Sequence, residues 1–239
     1  QVEYAMEAIL HAGARIGVLE KDGVILAVEK KVAGELLDLS IAKEGGHSST
    51  GVGQALFPRI SSDVVARVAG LTADANSLVY YAQQAAQRHL FSFNEDIPVE
   101  QLAQRLCDLK QDYTQYGGLH PFGLSPLYAG YDSHYQLQLH PSDLSGNYSG
   151  WTAMCICANN DTAQCLKQEC KDDLSMEEAI TLMINIMSKT MDSTTLSSGK
   201  LEFLILTLGP MMKQLLVKIY KPVETGALLA KHGIEKMAS

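Results

Sequence analysis

The N-terminal segment constrains the fold most, because it predicts a helix that leads directly into a β-hairpin. A helical periodicity of apolar residues runs over Val2–His11, and Gly13 then ends it. The predicted apolar side consists of Val2, Met6, Ile9 and Leu10. Two apolar runs follow, Arg15–Leu19 and Val24–Glu29, and the turn between them ends in Asp-Gly, a strong hairpin signal. The chain is therefore expected to place a helix before the first strand of an antiparallel sheet.

The rest of the chain alternates paired helices with groups of strands. Further helices are predicted over Asp74–Leu90 (with Thr72 or Asp74 as N-cap), Val99–Tyr116, Asp161–Lys171, Ser175–Met191 and Pro222–Met237. Further strands are predicted over Val64–Ala69, Gly123–Gly130, Tyr135–Leu139, Trp151–Cys157, Leu201–Leu208 and Leu215–Tyr220. Because β-α-β alternation is missing, the predicted class is α+β, with two antiparallel sheets stacked face to face and helices outside each. Residues 1–239 are predicted to form one domain.

The charge and the cysteines of the chain argue against several functions. A net charge of −8 gives no support for binding nucleic acid, which needs a basic face. No apolar run approaches the ~18 residues of a membrane-spanning helix. Five cysteines, an odd number, favour reduced thiols. The last four, Cys155, Cys157, Cys165 and Cys170, have the spacing C-x-C-x7-C-x4-C, which is typical of no common zinc site, so neither a metal nor a cofactor is predicted.

The segment 41–62 is rich in glycine and serine and is predicted to form a long loop. Its run Gly45-Gly46-His47-Ser48 invites comparison with a phosphate-binding loop, but it lacks the Lys-Ser/Thr ending and an adjacent helix start. The loop closes with Phe57-Pro58-Arg59-Ile60, which places one basic side chain at its end.

Several motifs in a fixed order resemble those of the proteasome α-subunit family. They are QVEYAMEA at 1–8, KDGV at 21–24, AGLTADAN at 69–76, HPFGLS at 120–125 and DLSGNY at 143–148 with Trp151. Two positions depart from the family pattern, because His120 stands where arginine is usual and Leu144 where proline is usual. The resemblance covers essentially the whole chain.

This resemblance implies both a fold and a function. The family fold is the four-layer αββα sandwich of N-terminal-nucleophile hydrolases. Seven different α subunits form each outer ring of the barrel-shaped 20S core, and the catalytic threonines belong to certain β subunits. The chain is thus expected to be a non-catalytic α-ring subunit that serves assembly, gating and activator docking in ubiquitin-dependent protein degradation.

The residues themselves test whether this chain could be catalytic. An N-terminal nucleophile needs a Thr, Ser or Cys whose free α-amine acts as the base. The resemblance aligns Gly13 with the nucleophile, and a helix precedes that residue, so both requirements fail. Glu29 aligns with an aspartate that orients the catalytic site, but the sequence favours an ion-pair role for it.

Two other functions remain open at this point. The first is an active N-terminal-nucleophile peptidase whose nucleophile is Thr50 or Thr72 at the head of a strand. The second is a free-standing interaction protein built on the same fold. A ring subunit would differ from the latter by exposing apolar side faces and associating with other chains.

The resemblance also assigns candidate binding residues. Tyr4 and Met6, in the leading helix 1–12, are expected at the interface with neighbouring subunits, although a core position for Tyr4 is an equal alternative. Arg59 is expected in the pocket between α subunits that receives activator tails, where a lysine is usual, and a solvated surface arginine is the alternative. The expected partners are neighbouring α subunits, underlying β subunits and regulatory caps, in the cytoplasm and nucleus.

Overall fold

The computed structural model describes residues 2–10, 13–29, 58–156, 166–170, 174–190, 200–209 and 215–232. The helices are α1 (Val2–Leu10), α2 (Thr72–Phe93), α3 (Val99–Gln115), α4 (Met176–Thr190) and α5 (Pro222–Lys231). The strands are β1 (Arg15–Glu20), β2 (Gly23–Glu29), β3 (Val64–Gly70), β4 (Leu124–Asp132), β5 (Gln136–Pro141), β6 (Ala153–Ile156), β7 (Leu201–Leu208) and β8 (Leu215–Ile219). Each predicted strand is therefore present within one or two residues of its expected ends.

The described strands form two antiparallel sheets. The first sheet has the order β6-β1-β2-β7-β8, and the second has the order β3-β4-β5. The β1–β2 hairpin pairs Leu19 with Val24 and Glu20 with Gly23, which confirms the turn at Lys21-Asp22. Successive strands along the chain do not alternate with helices, which agrees with the predicted α+β class.

Alternation of side chains along the strands produces four layers. In β2, Ile25 and Ala27 pack towards α4 and α5, whereas Val24 and Leu26 pack towards the second sheet. In β3, Val64, Ala66 and Val68 pack towards α2 and α3, and Val65 faces the first sheet. Three apolar clusters therefore separate helices, sheet, sheet and helices, which confirms the αββα sandwich.

The structure corrects the predicted start of α2, whereas α1 exposes part of its predicted apolar side. Met6 is 52% and Val2 is 39% exposed, and Ala5 is buried. α2 begins at Thr72, with Leu71 as its N-cap residue and no capping side chain. Thr72 cannot head a strand, so this version of the peptidase alternative is wrong, while Thr50 lies outside the described residues.

Other predictions fall partly or wholly beyond the described ranges. Most of the loop 41–62 does so, and so do the ends of the helices predicted over Asp161–Lys171 and Pro222–Met237. Among the helices that the structure describes, none is long and apolar enough to cross a membrane.

Candidate functional site

The position aligned with a catalytic nucleophile is closed by backbone contact. A Cβ added to Gly13 would lie 2.6 Å from the carbonyl oxygen of Glu29 and 3.2 Å from its Cβ. The amide of Ala14 donates to Oε2 of Glu29 over 2.9 Å, and the amide of Glu29 donates to the carbonyl of Ala14 over 2.8 Å. Residue 13 therefore has no room for the side chain of a nucleophile.

Charged side chains fill the space between the sheets beside Gly13. Arg15 pairs with Val28, and Val28 pairs with Glu202, so the arginine and the glutamate flank one residue on the same sheet face. In β3, Arg67 alternates with residues that face the helices, so its side chain points from the second sheet towards Arg15 and Glu202. Arg15 and Arg67 are 6% and 5% exposed.

The electrostatics show that these charges belong to one cluster. Burial lowers the pKa of Arg15, repulsion from Arg67 lowers it further, and the charge of Glu29 raises it. Burial likewise lowers the pKa of Arg67, which the charge of Glu202 raises. The sequence analysis predicts an ion-pair role for Glu29, and the structure shows an attraction to Arg15 together with the hydrogen bond from Ala14.

The described residues also form a shallow pocket of about 290 Å³ at the far end of β1 from Gly13, and no Ser, Thr, Cys or His lines it. Within the ranges that the structure describes, no three His, Cys, Asp or Glu side chains come together as a metal site requires. Cys157 and Cys165 of the cysteine-rich segment lie outside those ranges.

Helix α1 presents apolar side chains to solvent. Tyr4 is 77% exposed and Met6 is 52% exposed, so the core position considered for Tyr4 is wrong. α1 lies against β3 and β4. Apolar side chains that a helix exposes in this way are available for contact with another chain.

Arg59 is exposed and held in a defined orientation by the backbone. Its Nε donates to the carbonyl of Ser61 over 3.2 Å, and its Nη2 donates to the carbonyl of Ser62 over 2.7 Å. Gln83 of α2 donates to the carbonyl of Arg59 over 3.1 Å, which ties the segment to the helix layer. Other N–H groups of the guanidinium remain for a carboxylate, since arginine has five such donors.

Acidic side chains lie next to Arg59. Oγ of Ser62 lies 2.8 Å from Oδ2 of Asp96 and 3.1 Å from Oδ2 of Asp63, so the two carboxylates share its one hydroxyl hydrogen. Burial raises the pKa of Asp63 and the charge of Asp96 adds to this, whereas Ser62 and Arg59 lower it. A carboxylate ligand at Arg59 would therefore meet local repulsion as well as attraction.

A buried lysine that the sequence interpretation missed anchors the turn after β5. Lys110 in α3 is 0% exposed, and its Nζ donates to Oγ of Ser142 and to the carbonyl of Asp143. Sγ of Cys107 lies 3.0 Å from the same Ser142 Oγ. The spacing contained a signal for this lysine, because Lys110 follows Leu102 and Leu106 at four-residue intervals on the buried face.

The family motifs contact one another in the fold. Asp74 does not cap α2, because its Oδ2 accepts the amide of Gly123 over 2.9 Å. Leu71 donates its amide to the carbonyl of Gly123 over 2.9 Å. The segments 69–76 and 120–125 are therefore held together by two hydrogen bonds to Gly123.

The sequence matches known proteasome subunits over its full length. The profile of the proteasome subunit family matches residues 57–206. Proteasome subunit alpha type-4-A of Arabidopsis thaliana is 48% identical over 240 residues, which cover 100% of this chain and 91% of that protein. Proteasome subunit alpha type-4 of Spinacia oleracea is also 48% identical with the same coverage. The corresponding protein of Petunia hybrida is 48% identical over 237 residues, which cover 98% of this chain and 89% of the relative.

The chain belongs to the proteasome subunit family. Its resemblance to α type-4 subunits extends through the segment 106–118, LCDLKQDYTQYGG. The predicted non-catalytic α-ring subunit is thereby confirmed, and the closed position at Gly13 gives its structural basis.

Proposed function

We propose that this chain acts in the proteasome by assembling with α and β subunits and by docking the tails of regulatory caps. The observation that carries the proposal is the pairing of a closed cleft at Gly13 with an exposed apolar face on α1. Such a chain contributes surface to the particle, while threonine nucleophiles in other subunits cleave peptide bonds. The particle would act in ubiquitin-dependent degradation in the cytoplasm and nucleus, where unpaired cysteines are usual.

Arg59 supports the docking part of the proposal. Its guanidinium is exposed and oriented by two carbonyl oxygens, so it is prepared to bind the C-terminal carboxylate of an activator tail. The pocket would be completed by a second α subunit. Asp63 and Asp96 would weaken the attraction, and they would favour tails that carry a basic residue near the carboxylate.

The test is the stimulation of peptide hydrolysis by an activator in purified particles. We expect Arg59→Ala to weaken activator binding by roughly tenfold, the loss of one charge-assisted hydrogen bond, and Arg59→Lys to keep most of it. Arg88→Ala is the matched control, because Arg88 is exposed on α2 and its Nη2 donates to Oε1 of Gln84 on the same helix over 3.3 Å. Equal stimulation in the Arg59→Ala and control particles would contradict the assignment of Arg59.

A further inference from the structure

The junction formed by Gly13 and Ala14 lies between the end of α1 at Leu10 and the start of β1, so the place where it is held bears on the direction of α1. α1 lies against the second sheet, whereas the chain from Gly13 to Arg15 enters the first sheet. Among the α1 residues whose burial is described, Ala5 alone is buried. The direction in which Tyr4 and Met6 point therefore depends both on the packing of α1 against the second sheet and on the place where the junction is held.

Glu29 holds this junction at several atoms. Its carboxylate accepts the Ala14 amide, its own amide donates to the Ala14 carbonyl, and its backbone lies against Gly13. A bond from an amide to a charged acceptor is stronger than one to a neutral acceptor. The side chain thus adds a strong link to a place where the backbone alone provides one ordinary hydrogen bond.

The charge of Glu29 also offsets the buried charge that follows the junction. Nε and Nη1 of Arg15 are buried and have no hydrogen-bond partner. The charge of Glu29 raises the pKa of Arg15 against the effect of burial. Removal of the carboxylate would therefore remove the hydrogen bond from the Ala14 amide. It would also leave the buried charge of Arg15 less stabilised.

We propose that Glu29 is a positioning residue that fixes α1 for contact with a neighbouring proteasome subunit. The position aligned with a catalytic aspartate has thereby acquired a role in assembly. This inference rests on the proposed function, since it takes the neighbouring subunit as the partner of α1. The exposed side chains Tyr4 and Met6 are the contact surface that Glu29 orients.

Two substitutions in the full chain, expressed together with the other α subunits, test this role. Glu29→Ala removes the acceptor, so hydrogen exchange of the Ala14 amide should accelerate roughly tenfold to hundredfold. Incorporation into rings should fall severalfold while the thermal midpoint of the chain changes by no more than about 5 °C. Glu29→Gln keeps an oxygen acceptor but loses the charge, so its protection and assembly should lie between those of the wild type and Glu29→Ala. Glu177→Ala, which removes an exposed carboxylate on α4, is the control.

The possible results separate this inference from the function on which it rests. Normal assembly and a protected Ala14 amide in Glu29→Ala would overturn the positioning role. Loss of protection throughout both sheets would also overturn it, because Glu29 would then serve general stability. A wild-type chain that enters no ring would instead overturn the proposed function, and the exchange rate of Ala14 would still report whether Glu29 holds the junction.

Discussion

Position 13 requires glycine because of one backbone contact. A Cβ there would lie 2.6 Å from a carbonyl oxygen of β2, so Gly13→Ser should destabilise the chain by about 1–3 kcal/mol. It should also confer no peptidase activity, since α1 precedes residue 13 and leaves it without a free amine. Urea unfolding and hydrolysis of a fluorogenic peptide measure the two effects.

Gly117→Ala is the matched control for this prediction. An added Cβ at Gly117 would meet no atom within 4 Å, so its stability should change by no more than about 0.5 kcal/mol. A Gly13→Ser chain as stable as this control, or one that cleaves peptide on its own, would contradict the account of the closed cleft.

Lys110 predicts a specific dependence of stability on pH. Burial lowers its pKa from 10.5 to about 8, and the charges of Cys107 and Asp143 partly oppose this. The neutral amine has two N–H groups, which match its two acceptors. Between about pH 8 and 10.5 the unfolded chain binds this proton and the folded chain does not, so the free energy of unfolding rises with pH in that window.

Comparison with Lys110→Met isolates this contribution. The wild-type advantage in free energy of unfolding should widen by up to about 1.4 kcal/mol for each pH unit above 8, and should be smallest at neutral pH. Lys167→Met, at an exposed position, should leave the wild-type profile unchanged. Denaturant titrations at several pH values give these curves, and parallel wild-type and Lys110→Met curves from pH 8 to 10 would contradict the buried amine.

At the scale of single residues, the partners of a buried charge could not be predicted from the sequence. Arg67 stands in a strand that is apolar on both sides, which indicates a position between layers, but the sequence does not say which charges meet it. Its neighbours Arg15 and Glu202 come from distant parts of the chain and meet through strand register. Register over such separations is a property of the assembled sheets.

At the scale of elements, the turn 143–148 packs closely against α3. Gly146 has φ +93°, and an added Cβ would lie 2.6 Å from the carbonyl oxygen of Cys107. Gly146→Ala should therefore destabilise the chain through both backbone strain and a clash, by about 2–4 kcal/mol.

A second glycine separates the two causes. Gly118 also has a positive φ, +86°, but an added Cβ would meet no atom within 4 Å. Gly118→Ala should thus cost only the strain, about 1 kcal/mol. Equal losses for Gly118→Ala and Gly146→Ala in thermal unfolding would show that the turn does not depend on its packing against α3.

Strand positions were predictable from sequence, whereas the orientation of α1 was not. β2 and β7 are almost continuously apolar, because both faces of each strand pack inside the chain, so these short apolar runs indicate buried strands directly. In α1 the periodicity places Val2 and Met6 on the apolar side of the helix, yet both side chains are exposed. An apolar pattern indicates that the residues are shielded from water. It does not show whether the core of the same chain or the surface of a partner shields them.

At the scale of the whole molecule, the four layers are complete but the outer surface is unusually apolar in places. Tyr80 (65%), Phe91 (93%) and Phe93 (62%) of α2 are exposed, as are Tyr4 on α1 and Val223 on α5. These positions lie on three helices, so contacts in more than one direction are available. Such a surface suits a chain that is enclosed by several neighbours and disfavours a free-standing monomer.

The most direct test of the central claim is native mass spectrometry of the tagged chain from its own cells, with a peptidase assay on the same fraction. We expect the chain to enter a multi-ring particle with other proteasome subunits, and we expect a covalent threonine-directed inhibitor to abolish the peptidase activity of that particle without labelling this chain. A monomer or small oligomer that hydrolyses peptide and takes up the inhibitor would contradict the account.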